Sequence, residues 1–307
     1  MDNLLPYIGN WTRIHLGHGP DFRGLTRIFR STPQVRYDFN SLGFRCDEFR
    51  PAAKKKIFAC GCSYTFGMGL NVEQTWPAQF AAHYTTHCNL LPSDVCLMNF
   101  SHGNGSNEYI ARTLMAQSAT SRPDIIIAHF SHLNRLEYYL NGRDQQVFAN
   151  YATSVGTFAM GPSLLRDRWF TRWKQCRHFA KPMRRLIKRM YRWNDAYYRH
   201  VHSRENSIAR TLYNILSIQY YCETNRVPYL FTCVDHKDLT EDFLSRQPAL
   251  GQLSGLINRK RFLSVGLLDK DIYQPISPTI RYPNAQTHAA FADRLWESFL
   301  ACGESAS

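Results

Sequence analysis

Two patterns of apolar and polar residues follow one another in turn along most of this chain. Short continuous apolar runs predict buried strands over 56–60, 95–100, 124–130 and 227–234. Segments with apolar residues at helical spacing predict helices over 75–83, from 107 onward, over 205–225 and over 286–301. Asn107 is predicted to cap the second of these helices. Because strands alternate with helices, the pattern predicts an α/β fold: a parallel sheet of four to five strands with helices on both faces and right-handed crossovers.

Two segments interrupt this alternation. Residues 1–50 form an N-terminal arm with a short β-like piece around a turn glycine, Gly43. Residues 138–204 are predicted to be a helical insertion, since they are rich in helix-forming residues and Pro182 is expected to kink or divide the helix. The α/β domain itself then comprises 51–137 and 205–307.

Charge is concentrated in the insertion. The chain has a net charge of +13, and residues 166–204 carry 13 Lys and Arg against two Asp, which leaves +2 for the rest. Aromatic residues are interleaved with these cations. Such a segment binds an acidic partner (nucleic acid, an anionic glycan or a protein), or it is a solvated helical lid with its aromatics packed inward. The sequence leaves these alternatives open.

The remaining composition predicts a soluble protein without a metal or a cofactor. No apolar run approaches the ~20 residues that cross a bilayer, and the first residues lack a signal-peptide pattern. The nine cysteines are scattered, and Cys60 and Cys62 are too closely spaced for the usual zinc pair. We therefore expect reduced thiols and a cytoplasmic location.

Ser63 is the candidate nucleophile. It follows the first predicted strand, at Gly61, where a tight turn leads towards a helix. Groups on such a turn point into the crevice at the carboxyl ends of parallel strands, where open α/β sheets bind ligands. The alternative is a structural role, in which Ser63 is a small residue that fits a tight turn.

The residues around Ser63 resemble the SGNH (GDSL-type) hydrolase family. Gly61-Cys62-Ser63-Tyr64 stands where that family has Gly-Asp-Ser-Leu, and 99–107 resembles its second block. The strings at 40–45 and 61–80 resemble a branch from phages and marine bacteria. The resemblance implies a flavodoxin-like αβα three-layer sandwich that cleaves esters with a Ser–His pair, and it adds a virion-associated location to the cytoplasmic one.

The resemblance also implies an oxyanion hole. The family's second block supplies a glycine N–H, here Gly105, beside the N–H of the nucleophile. Its third block has Gly-x-Asn, but this chain has His132 at the Asn position, and Asn134 follows two residues later. His132 and Asn134 are therefore the candidate side-chain donors.

The last block departs further from the family. Its Asp-x-x-His-Pro pattern aligns on Pro283, which puts Tyr282 at the catalytic histidine and Thr279 at the aspartate. His288 matches a second histidine found in some branches, and we predict it to be the base. A helix-capping histidine is the alternative. His236 is the second-choice base, and Asp235 could orient an imidazole.

These residues predict a serine hydrolase acting on an ester, such as an O-acyl group on a carbohydrate. An acyltransferase with the same Ser/His site is a close rival. The third possibility, favoured by Tyr282 and Thr279, is a catalytically degenerate protein that keeps the fold for binding or for a structural role in a virion.

Overall fold

A computed structural model describes residues 35–103, 105–139, 146–149, 196–239, 244, 247–278, 280 and 282–303. The chain divides into two compact units, one of Met1–Leu133 with Ile208–Ser307 and one of Asn134–Ser207. The first unit carries the large sheet.

The described elements follow the alternation of the sequence. The strands are β1 (Lys55–Cys60), β2 (Val95–Asn99), β3 (Ile125–Phe130), β4 (Leu136–Tyr139), β5 (Gln146–Ala149) and β6 (Tyr229–Cys233). The helices are α1 (Ser63–Phe66), α2 (Trp76–His87), α3 (Asn107–Ser121), α4 (Arg204–Asn225), α5 (Pro248–Gly255) and α6 (Ala285–Ala301).

Four parallel strands form the main sheet in the order β2-β1-β3-β6. Cys60 at the end of β1 is opposite Ala128, and Phe130 at the end of β3 is opposite Cys233. The carboxyl ends of all four strands therefore lie at one edge, as the α/β prediction requires.

Helices cover both faces of the sheet. On one face, aromatic residues of α2 and α6 such as Trp76 and Phe291 pack against Ile57 and Ile127 in one buried cluster. Residues on the opposite side of each strand, such as Phe58, face the other way. There α3 contacts β1 and β3, with Ile110 fully buried. The predicted three-layer α/β architecture is confirmed.

Three local predictions are wrong. Helix α3 is capped by Ser106, whose hydroxyl accepts the Tyr109 N–H, rather than by Asn107. The piece at 37–45 is irregular instead of β-like, because the side-chain oxygen of Asn40 accepts two backbone N–H groups and closes a loop at Gly43, where φ is 84°.

The third difference is the hairpin at the start of the segment predicted to be helical. Strands β4 and β5 pair antiparallel there, with Leu136 opposite Ala149. Asn141-Gly142, with aromatic and apolar residues on either side, is a hairpin signal that the helix prediction overlooked. Most of the basic segment 166–204 lies outside the described residues, so its helical structure stays a prediction.

The eight cysteines that the structure describes are all free thiols. Within the same part of the chain, no helix is long and apolar enough to cross a bilayer.

Candidate active site

The candidate site lies at the carboxyl edge of the sheet. Ser63 follows β1 by three residues, His132 follows β3 by two, and Asp235 follows β6 by two. Because these strands are consecutive in the sheet, the three residues are brought to one edge from three separate parts of the chain.

Ser63 is held by a sharp turn. A Cβ at Gly61 would lie 2.1 Å from the Thr65 hydroxyl oxygen and 3.0 Å from the His129 carbonyl oxygen, so only glycine fits there. Ser63 is the first residue of α1, and its own N–H therefore has no intrahelical acceptor. Only 3% of the residue is exposed.

His132 is paired with Asp235. Nδ1 of His132 lies 2.9 Å from Oδ1 of Asp235, and Oδ2 of Asp235 accepts the Leu133 N–H at 2.8 Å. The two side chains are 30% and 27% exposed, so water and ligands reach the pair. The ring of Tyr64, the residue after the candidate nucleophile, packs edge-on against the His132 ring with centroids 6.1 Å apart.

His288 occupies a different environment. It is 1% exposed, and its Nδ1 accepts the N–H of Trp76, the first residue of α2, at 3.0 Å. Burial, with a smaller effect from Arg45, lowers its pKa to about 3. His288 therefore caps the N-terminus of α2 as a neutral imidazole, and its predicted role as the base stays a prediction.

His236, the second-choice base, lies in the turn after β6. Its Nε2 is 3.5 Å from Oδ1 of Asp269, while its buried Nδ1 has no partner among the described residues. The adjacent Asp235, predicted to orient an imidazole, contacts the imidazole of His132.

Two of the predicted oxyanion donors, Gly105 and Asn134, make backbone hydrogen bonds in the structure. The Gly105 N–H donates to the His102 carbonyl at 3.0 Å and so closes the loop after β2. A Cβ at Gly105 would lie 2.9 Å from the Gly61 carbonyl oxygen, which explains the glycine by close packing. Asn134 belongs to the second unit, where its carbonyl accepts the Tyr198 hydroxyl.

Tyr282 lies beside the turn that carries Ser63. Its ring packs edge-on against the ring of Tyr64, with centroids 5.9 Å apart. Tyr64 therefore contacts both His132 and Tyr282. Thr279, which aligns with the family's aspartate, lies outside the described residues.

One histidine near this edge was not among the predicted site residues. His129 is fully buried on β3, with its ring centroid 5.3 Å from that of Phe291, and neither ring nitrogen has a hydrogen-bond partner in the described part of the chain. Burial lowers its pKa to about 3, helped by the nearby His132, His288 and His236, against the opposing effect of Asp235. The signal was present in the sequence, since His129 interrupts an otherwise apolar strand.

The described residues contain no cluster of three or more His, Cys, Asp or Glu side chains that could hold a metal ion. The chemistry available at this edge is that of a hydroxyl, imidazoles and a carboxylate.

Comparison with known proteins gives structural matches only. No protein-family model matches the chain, and neither does any curated protein. A psychrotrophic esterase from Pseudoalteromonas sp., inhibited by monoethylphosphonate, is 11% identical with a TM-score of 0.43, and the match covers 82% of this chain and 100% of that one.

Two further structures match at a similar level. One is a member of the lipolytic G-D-S-L family from Veillonella parvula, 12% identical with a TM-score of 0.36, covering 80% of this chain and 98% of that one. The other, AlinE4, is an SGNH-hydrolase family esterase, 11% identical with a TM-score of 0.36, covering 82% and 97%. Their descriptions name the family that the motifs at 61–64 and 99–107 resemble.

Proposed function

We propose that this protein is a serine esterase in which the Ser63 hydroxyl attacks the carbonyl carbon of an ester. The observation that carries the proposal is the position of Ser63, which is buried on a tight turn at the carboxyl edge of the sheet. A serine needs a base within ~2.6–3.2 Å to become nucleophilic. The ring of His132 contacts the ring of Tyr64, the residue after Ser63.

The ester that we propose is an O-acyl group on a carbohydrate. The rings of Tyr64 and Tyr282 supply an apolar wall beside the nucleophile turn, suited to an acyl chain or the face of a sugar ring. The Ser63 N–H, at the start of α1, is the first donor for the oxyanion that forms on attack.

A fluorophosphonate probe tests the proposal, because it reacts only with a serine activated by a base. We expect wild-type protein to be labelled at Ser63 and to hydrolyse p-nitrophenyl acetate, and Ser63→Ala to lose both. Ser101→Ala is the matched control: Ser101 is also a buried serine at this edge, following β2, and its loss should leave labelling unchanged.

Two outcomes would change the assignment. An unlabelled, inactive wild type would favour the non-catalytic binding or virion-associated alternative. Labelling at Ser63 with transfer of the acyl group to an added alcohol faster than to water would favour the acyltransferase, since both reactions share the acyl-enzyme.

We also propose that the basic segment 166–204 binds an acidic partner. What supports this is the net charge of +11 in that segment.

A further inference from the structure

The contact between His132 and Asp235 fixes which ring nitrogen of His132 carries the proton. An ionised carboxylate only accepts hydrogen bonds, so the proton of a neutral imidazole at 2.9 Å is assigned to Nδ1. The second carboxylate oxygen is held by the Leu133 N–H, which fixes the orientation of Asp235. Neutral His132 therefore presents a lone pair at Nε2, which makes it a base there and not an N–H donor.

His288 has the opposite arrangement. The Trp76 backbone N–H can only donate, so Nδ1 of His288 carries the lone pair and the proton is assigned to Nε2. The other ring nitrogen of neutral His288, Nε2, is thus a donor. Burial also opposes a positive charge on this ring.

The order of the strands places the pair next to the nucleophile. Strand β3, which leads to His132, lies between β1, which leads to Ser63, and β6, which leads to Asp235. The contact between the Tyr64 and His132 rings shows that the ends of β1 and β3 remain adjacent beyond the sheet. Serine, histidine and aspartate therefore follow one another across three neighbouring strands.

We propose that His132 is the general base of Ser63 and that Asp235 is its positioning residue. The proposal rests on the esterase function proposed above. It replaces the roles expected from the sequence, in which His132 donates to the oxyanion and His288 is the base.

The steps balance without a further reactant. As the Ser63 oxygen bonds to the ester carbonyl carbon, its proton moves to Nε2 of His132, and the positive charge on the ring is stabilised by the Asp235 carboxylate. The C–O bond of the ester then breaks, and the alcohol leaves with that proton. Water attacks the acyl-Ser63 by the same path, with its proton passing through His132, and the acid is released.

Two other histidines are weaker candidates. Neither nitrogen of His129 has a partner among the residues that the structure describes, and the ring is fully buried, so no substrate reaches it. His236 is 7% exposed, and its carboxylate neighbour, Asp269, is 3.5 Å from Nε2, farther than a hydrogen bond that orients a catalytic ring.

Matched asparagine substitutions separate the two roles. In His132→Asn, the side-chain amide can still donate to Asp235 in place of Nδ1–H, but Nε2 is gone. In His288→Asn, the amide oxygen can still accept the Trp76 N–H, and Nε2 is again gone. We expect His132→Asn to lower kcat/KM for p-nitrophenyl acetate, and the rate of fluorophosphonate labelling at Ser63, by about 10²–10⁴-fold, and His288→Asn to change either by less than about tenfold.

The results for His132→Asn and His288→Asn can also contradict the proposal. If His132 is an oxyanion donor, His132→Asn restores the family's side chain at that position, and activity will be kept or raised. A large loss in His288→Asn with none in His132→Asn would return the base to His288. A wild type that is neither labelled nor active would contradict the proposed esterase function itself. This result differs from both variant outcomes described above.

Asp235→Asn tests the positioning role. An amide in place of the carboxylate favours the wrong tautomer of His132, and in serine proteases this change lowers turnover by ~10⁴. We expect a fall in kcat with little change in KM, and partial recovery in Asp235→Glu. Thermal unfolding of each variant separates lost chemistry from lost folding, and His132→Gln is the second variant should His132→Asn not fold. Unchanged kcat in a folded Asp235→Asn would contradict the role.

Discussion

Arg45 is a buried arginine whose two terminal nitrogens donate to carbonyl groups. Its guanidinium donates to the Phe66 carbonyl at 2.9 Å and the Gly67 carbonyl at 2.7 Å, and also to the carbonyls of Leu70 and Arg36. Burial lowers its pKa to about 10, so it stays charged at neutral pH. Arg45 therefore ties the segment at 36–45 to the residues that end α1, the helix that carries Ser63.

Arg45→Lys should destabilise the protein by ~2–4 kcal/mol, because an ammonium cannot reproduce the planar fork and leaves buried carbonyls unpaired. Urea unfolding measures the change. Arg50→Lys is the matched control: Arg50 also binds backbone carbonyls, of Ser93 and Val95, but in a half-exposed position, and we expect a loss of less than about 1 kcal/mol. Equal losses would contradict a special role for Arg45.

At the residue scale, Ser63 is easier to select from the sequence than the contact between His132 and Asp235. Ser63 is identified by local signals, a strand that breaks at a glycine before a helix. The contact between His132 and Asp235 joins residues 103 positions apart and depends on β6 lying beside β3. No local pattern encodes that neighbour relation, so Asp235 was predicted to orient an imidazole without the imidazole being identified.

At the element scale, the layer between the sheet and helices α2 and α6 holds two neutral histidines. His129 of β3 and His288 of α6 both have a pKa lowered to about 3 by burial. An unfolded chain takes up protons at these rings below the ordinary value of 6.5, whereas the folded chain does not. Stability contributed by their neutral form is thus complete above pH 6.5 and falls as the pH decreases from 6.5 to about 3.

His129→Leu removes one of these two groups. We expect the free energy of unfolding to fall less steeply with decreasing pH than in the wild type, by up to ~1.4 kcal/mol per pH unit in this window. Carboxylates that titrate in the same range contribute equally to both proteins, so the difference isolates His129. Urea unfolding at pH 4, 5 and 7.5 measures it, and parallel pH curves would contradict the buried neutral ring.

Element boundaries were predicted well where periodicity is strong. The predicted strand 227–234 contains the observed Tyr229–Cys233, and the last helix begins one residue before its prediction. Prediction failed where side chains decide the backbone. The Asn40 side chain closes a loop in place of a strand, and the Ser106 hydroxyl caps α3 in place of Asn107.

At the scale of the whole molecule, the charge distribution does not follow the fold. The described part of the first unit has both signs of charge on its surface, while residues 166–204 have a net charge of +11. A segment with this charge attracts polyanions from a distance of about a Debye length, ~10 Å at 0.1 M salt. We expect single-stranded DNA or heparin to bind, with an affinity that falls linearly on a log–log plot against salt.

Reversing Arg184, Arg185, Arg189 and Arg192 to glutamate should flatten that salt dependence, because each lost phosphate contact reduces the slope by ~0.7 for a single strand. Fluorescence anisotropy with labelled oligonucleotide from 50 to 300 mM salt measures the slope. The matched control reverses four exposed cations of the first unit, namely Arg226, Lys237, Lys260 and Lys270. This control has the same change in net charge, so an equal flattening would mean that total charge, and not the segment, attracts the polyanion. Fluorophosphonate labelling at Ser63 should be the same in all three proteins, and a wild type that binds no polyanion at 50 mM salt would leave the solvated lid as the role of the segment.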